Sequence, residues 1–168
     1  MKPLTLIDTN VLIAANNRNT HADLECQLAC IEKLEEIVSN EKIVLDNMGL
    51  ILEEYSKHCH YRGEPGVGDL FFKHSFDNQS VEGKCFLVSI TPDSIRENNF
   101  IEFPQHPDLV DFDPSDRKFV AASISSPKET PIYNATDSDW ENAKVALEEC
   151  DINVVQLCPQ HAIKLPVK

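Results

Sequence analysis

The feature that most constrains this chain is a series of short apolar runs separated by stretches of helical period. Leu4-Thr5-Leu6-Ile7, Ile43-Val44-Leu45, Phe86-Leu87-Val88-Ser89-Ile90, Pro131-Ile132-Tyr133-Asn134-Ala135 and Ile152-Asn153-Val154-Val155-Gln156-Leu157 each have the length of a strand. The first two lack apolar–polar alternation, which suits strands covered on both faces. Between the runs lie helix patterns. Asp8-Thr9-Asn10 supplies capping chemistry for a short helix over residues 11–15. Over residues 21–39, Leu24, Leu28, Ile31, Leu34 and Val38 recur at helical spacing. Further helices are predicted over 48–58, around Leu70 to Phe76, over 114–124 with Asp113 as N-cap and Pro114 in the first turn, and over 140–150. Strands that alternate with helices predict an α/β fold with a mostly parallel sheet.

A length of 168 residues fits one domain with a real core. Its least regular part is the segment at 60–106, where Gly63, Pro65, Gly66 and Gly68 mark a loop. Apolar residues make up 42% and charged residues 26%, a soluble globular profile. No apolar run approaches the roughly 20 residues of a membrane span, and Asp8 and Asn10 interrupt the N-terminal run too early for a signal peptide. The expected location is the cytoplasm. In that setting Cys26, Cys30, Cys59, Cys85, Cys150 and Cys158, which form no CxxC pair, read as buried free thiols. The His58-Cys59-His60 triplet has no second cluster at ligand spacing and reads as no metal site.

Acidic residues follow the expected strand ends or open the next helices. Asp8 ends the first strand, Glu53 and Glu54 lie on the helix after the second, Asp113 and Asp116 start a helix, and Asp137 and Asp139 follow the strand at 132–135. In a parallel sheet the C-terminal strand ends open on one crevice, so these groups can converge. Carboxylates gathered there repel one another until they take up protons or a cation. Hard divalent ions are the natural partners, and such a centre suits phosphodiester hydrolysis. Each position alone also has a plain reading as a helix cap or a first-turn acid. Those readings leave unexplained why all of them fall at the same end of the sheet.

Four segments together resemble the PIN-domain nuclease family. Leu6-Ile7-Asp8-Thr9-Asn10-Val11-Leu12-Ile13 is similar to its opening motif, Leu52-Glu53-Glu54-Tyr55 to its helical glutamate, Asp113-Pro114-Ser115-Asp116-Arg117-Lys118-Phe119 to its third motif, and Ala135-Thr136-Asp137-Ser138-Asp139-Trp140 to its last. Ala135 stands where the family usually has Thr. The resemblance implies a three-layer α/β/α sandwich and cleavage of single-stranded RNA, or in some branches DNA, with Mg²⁺ or Mn²⁺. It implies Asp8, Glu54, Asp116 and Asp137 as catalytic metal ligands, with Asp139 as a further acidic position. Glu53 is the alternative to Glu54, Asp113 is secondary, and Asn10 would orient Asp8 or its water.

The chain carries 28 Asp and Glu against 15 Lys and Arg, a net charge of −13. This excludes coating of nucleic acid by bulk charge but leaves a local patch open. Residues 57–96 are neutral, with five basic residues against five acidic ones. Arg62 beside Tyr61, and Arg117 and Lys118 beside Asp116, are the candidate phosphate contacts. The acidic excess also motivates a different class of function, a catalytically silent module acting through a protein partner, an antitoxin or a homodimer among them. A phosphoryl-transfer enzyme with an aspartate nucleophile fits less well, because Asn10 replaces its usual second Asp. A toxin, an RNA-processing or a defence role are all compatible with the nuclease reading.

Overall fold

The computed structural model describes residues 2–62, 65–127 and 129–162. Gly63 and Glu64, in the expected loop, lie outside them. Five strands, β1 (Leu4–Ile7), β2 (Lys42–Asp46), β3 (Cys85–Val88), β4 (Ile132–Asn134) and β5 (Val154–Gln156), form one sheet in the order β3-β2-β1-β4-β5. Every pairing is parallel. The helices are α1 (Thr9–Asn16), α2 (Leu24–Asn40), α3 (Leu50–Ser56), α4 (Val67–Asp77), α5 (Arg117–Ser125), α6 (Ser138–Asn142), α7 (Lys144–Glu149) and α8 (Pro159–Ala162). They flank the sheet in a three-layer α/β/α sandwich, with α1, α2 and α4 packed on one another and α5 lying on β1, β2 and β4. All residues of β1 are buried, as a central strand between two helical layers requires.

The sheet is wholly parallel because each strand returns through a helical crossover. After β3 the chain crosses back past β1 and adds β4 and β5 on the other side. The strand order therefore reverses between β1 and β4, and a crevice opens there at the C-terminal strand ends. Leu6 pairs with Ile132 and Ile7 with Tyr133, and the Asp8 N–H donates to the Tyr133 carbonyl at 3.0 Å. The Tyr55 hydroxyl donates to the Ile7 carbonyl at 2.6 Å and fixes the end of β1 from the α3 side.

Several boundaries differ from the sequence expectation. The α2 helix starts at Leu24, where Asp23 caps the Cys26 N–H at 2.8 Å. Its buried face is Cys26, Cys30, Leu34 and Ile37, while Leu24, Leu28 and Val38 are exposed. The leucine pattern misplaces the face because the two cysteines serve as its apolar residues. The helix expected over 140–150 is two: Asp137 caps an earlier start at Ser138, and the chain bends at Ala143 before α7. The helix expected at 114 begins as a 3-10 turn, Pro114–Asp116.

Two of the six cysteines depart from the free-thiol expectation. Cys26 and Cys158 form a disulfide, their Cα atoms 5.2 Å apart, because the segment after β5 returns to the N-terminal turn of α2. Cys30, Cys59 and Cys85 are buried free thiols, and Cys150 is half-buried. Among the described residues no helix is long and apolar enough to cross a membrane.

Candidate metal centre

Asp8, Asp116 and Asp137 converge at the crevice between β1 and β4. They offer carboxylate oxygens that all lie within 4.8 Å of one another. Each comes from a different strand-end connection. Asp8 follows the last residue of β1, Asp116 ends the 3-10 turn before α5, and Asp137 is the N-cap of α6. Asp137 Oδ1 accepts the Asp139 N–H at 2.9 Å, which leaves its other oxygen for the cluster. Asp137 is thus a helix cap and at the same time a member of the acidic cluster.

The electrostatics are those of crowded, buried acids. Burial pushes the Asp8 carboxyl up to about 7, with the Asp137 charge adding to the rise and the Trp140 indole opposing it. Burial raises Asp116 to about 9, and the charges of Asp8, Asp137 and Asp113 act in the same direction. Asp137 is also raised by burial. Asp116 Oδ2 is buried and has no hydrogen-bond partner among the described residues. A buried acceptor left bare costs roughly 1–3 kcal/mol, and one on an acid clustered with two further carboxylates suits a cation. The donor set is all carboxylate oxygen, so the triad could bind a metal ion, and a hard one fits it best.

Trp140 stands in the last motif of the sequence, which assigns it no role. It is fully buried, donates its indole N–H to Asp8 Oδ2, and packs edge-on against Phe112 at 5.1 Å. A buried indole needs an acceptor, and the position one residue after Asp139 was its only signal. Asn10 acts differently from the expectation. Its side chain does not reach for Asp8; Oδ1 accepts the Ala135 and Thr136 N–H groups at 2.8 and 3.3 Å, and Nδ2 donates to Asn134 Oδ1 at 2.7 Å. It braces the β4–α6 connection that carries Asp137.

Other expected positions lie outside the triad. Glu54 is half-buried beside cations, with Oε2 3.4 Å from Lys57 Nζ and 3.7 Å from Lys118 Nζ. Glu53 is exposed, one position off the face that Glu54 shares. Asp113 Oδ1 accepts from Ser115 N at 2.9 Å and caps the 3-10 turn. Asp139 is exposed and, with Asp113, lines a hollow of about 330 Å³ that no member of the triad lines.

The expected phosphate contacts are corrected in part. Arg117 is buried: its guanidinium donates to the Phe112 and Val110 carbonyls and to Asn99 Oδ1 and stacks 4.5 Å from the Phe103 ring. It stitches the loop before α5 and is not available to a substrate, because a guanidinium on an apolar core must spend its donors on nearby carbonyls. Lys118 is held between Glu54 and the Ser115 carbonyl. Arg62 is exposed, and the neighbouring Tyr61 donates to Asp77 at 2.7 Å and packs against Phe76.

Comparison of the chain with protein-family models, with curated proteins and with solved structures finds no match. The site therefore rests on its geometry and chemistry.

Proposed function

We propose that the protein is a PIN-like, metal-dependent endoribonuclease that hydrolyses single-stranded RNA at the Asp8–Asp116–Asp137 centre. One observation carries the reading: a buried carboxylate oxygen without a partner on Asp116, a member of the acidic cluster at the point where the strand order reverses. A bound Mg²⁺ or Mn²⁺ would polarise the phosphodiester and make water acidic enough to attack at neutral pH. The chain's own part is to place its carboxylates. Asp8 is oriented by Trp140, Asp137 by its cap bond and the Asn10–Asn134 brace, and Asp116 by its tight turn. Glu54, the expected fourth ligand, is paired with Lys57 and Lys118 and does not belong to the triad.

The test is cleavage of a labelled single-stranded RNA by the full chain with Mn²⁺. Asp116→Asn is expected to lower the rate by on the order of 10³ or more, the scale of losing about 4 kcal/mol of transition-state stabilisation. Full activity in Asp116→Asn or Asp8→Ala, with contaminating nuclease excluded, contradicts the proposal.

A second reading is favoured by the commitment of the nearby cations. Arg117 is internal and Lys118 is paired, so little positive charge is left for phosphate. A catalytically silent module with a protein partner fits that feature. Calorimetry with Mn²⁺ separates the two, since absence of binding at millimolar metal supports the module.

A further inference from the structure

On another part of the molecule three sulfurs come together. Cys26 lies in the first turn of α2, Cys30 one turn further on the same face, and Cys158 directly before α8. Their sulfurs all lie within 4.8 Å of one another, and all three residues are buried. The disulfide uses two of them and leaves the Cys30 thiol against it. Other buried thiols find an acceptor: Cys59 donates to the Gly68 carbonyl and Cys85 to the Ser75 carbonyl. Among the described residues Cys30 makes no such bond.

We propose that in the reduced protein Cys26, Cys30 and Cys158 hold a Zn²⁺ ion as thiolates, and that the Cys26–Cys158 disulfide is the oxidised, metal-free form of the same site. Thiolates about 2.3 Å from a tetrahedral ion lie about 3.8 Å apart, the scale on which these sulfurs already sit. Only the joined pair has to separate. The first turn of a 17-residue helix favours an anionic sulfur at Cys26. Soft thiolates select zinc over the hard ions suited to the carboxylate centre. The fourth donor falls to His161, in Cys-x2-His spacing after Cys158; its Nε2 here accepts the Asp23 N–H at 3.3 Å, outside the three-sulfur cluster, and has to turn from Asp23 to reach the ion.

Oxidation by a small disulfide, RSSR, empties the site. Cys26 and Cys158 each give up one electron and form the S–S bond, RSSR takes both electrons and leaves as two thiolates, zinc departs, and Cys30 takes a proton from water. In either state the site ties α8 to α2. Because α8 packs on α6, which carries Trp140, the tie supports the helix behind the carboxylates.

The test is a Co²⁺ titration of the full chain, reduced and then freed of reductant without oxygen. A thiolate-to-cobalt charge-transfer band is expected to saturate at one equivalent of sulfur-bound Co²⁺, and Zn²⁺ erases it. The carboxylate centre has no sulfur and cannot give this band, so the outcome is independent of the nuclease proposal. Cys30→Ser is expected to weaken binding by about tenfold or more and to reduce the band, while Cys85→Ser, a buried thiol outside the cluster, keeps both. His161→Ala is expected to keep the band with lower affinity. Absence of the band in the reduced wild-type chain overturns the proposal. An unchanged titration in Cys30→Ser overturns the three-sulfur site, and unchanged affinity in His161→Ala overturns the fourth ligand.

Discussion

Among the described residues four aspartates are buried, and they divide by what surrounds their oxygens. Asp46 accepts the Met48, Leu50 and Ile51 N–H groups, and Asp69 accepts from Arg18, Asn16, His60 and Gly66. Both are structural acids, saturated by donors. Asp8 has the Trp140 indole as its side-chain donor, and Asp116 leaves one oxygen bare. From this contrast Asp116→Asn is expected to stabilise the metal-free protein by about 1 kcal/mol or more at pH 9, where the wild-type carboxylate begins to ionise, while abolishing any stabilisation by Mg²⁺. Thermal unfolding with and without Mg²⁺ checks both halves. Trp140→Phe removes a donor from Asp8 and opens space beside Phe112; a loss of about 2 kcal/mol is expected in denaturant unfolding.

The site at the scale of elements is set by where β1 hands the chain to β4. That much is legible in the sequence. The apolar run Leu4–Ile7 ending at Asp8, and the run ending before Asp137, predict two buried strands whose ends share a crevice. Pro114 and Asp113 announce a turn in the sequence, but the choice of Asp116 over Asp113 rests on the family resemblance and not on that pattern. Asn10 and Arg117 are not legible in role, because a side chain's hydrogen-bond partners far along the chain, such as Ala135 and Asn99, leave no periodic trace. The buried face of α2 is misread for a different reason: cysteine packs as a small apolar residue but does not weigh as one in a leucine pattern. Close packing of α1 on α4 gives a prediction at this scale. A Cβ at Gly68 would meet the Leu12 carbonyl oxygen at 2.2 Å, so backbone must move. Gly68→Ala is expected to destabilise by roughly 1–3 kcal/mol in denaturant unfolding, without loss of the metal ligands.

For the whole molecule the acids decide the response to pH. Asp69 is held below the usual carboxylate range: burial would raise it, but the Arg18 guanidinium and backbone N–H groups outweigh that. Asp8 and Asp116 are held above it, at about 7 and about 9. Asp69 stabilises the fold above the unfolded carboxylate range near 3.8 and loses that contribution as pH falls. Asp8 and Asp116 keep protons that the unfolded chain has released, so they stabilise at low pH and lose that contribution as pH rises through 7 to 9. Metal-free stability is therefore expected to peak at mildly acidic pH and to fall toward pH 9. Saturating Mg²⁺ is expected to flatten the alkaline limb, as a calorimetric pH series would show. The net charge of −13 bears on the same point. If RNA engages through the carboxylate centre and few cations, its affinity should depend shallowly on salt and strongly on metal.

Whether Asp8, Asp116 and Asp137 hold a divalent metal is decided by anomalous diffraction from a crystal grown or soaked with Mn²⁺. An anomalous peak is expected among the three carboxylates, with Asp116 Oδ2 as one of the ligands. Saturating Mn²⁺ with no peak at that position, or with Asp116 Oδ2 still bare, would contradict that expectation.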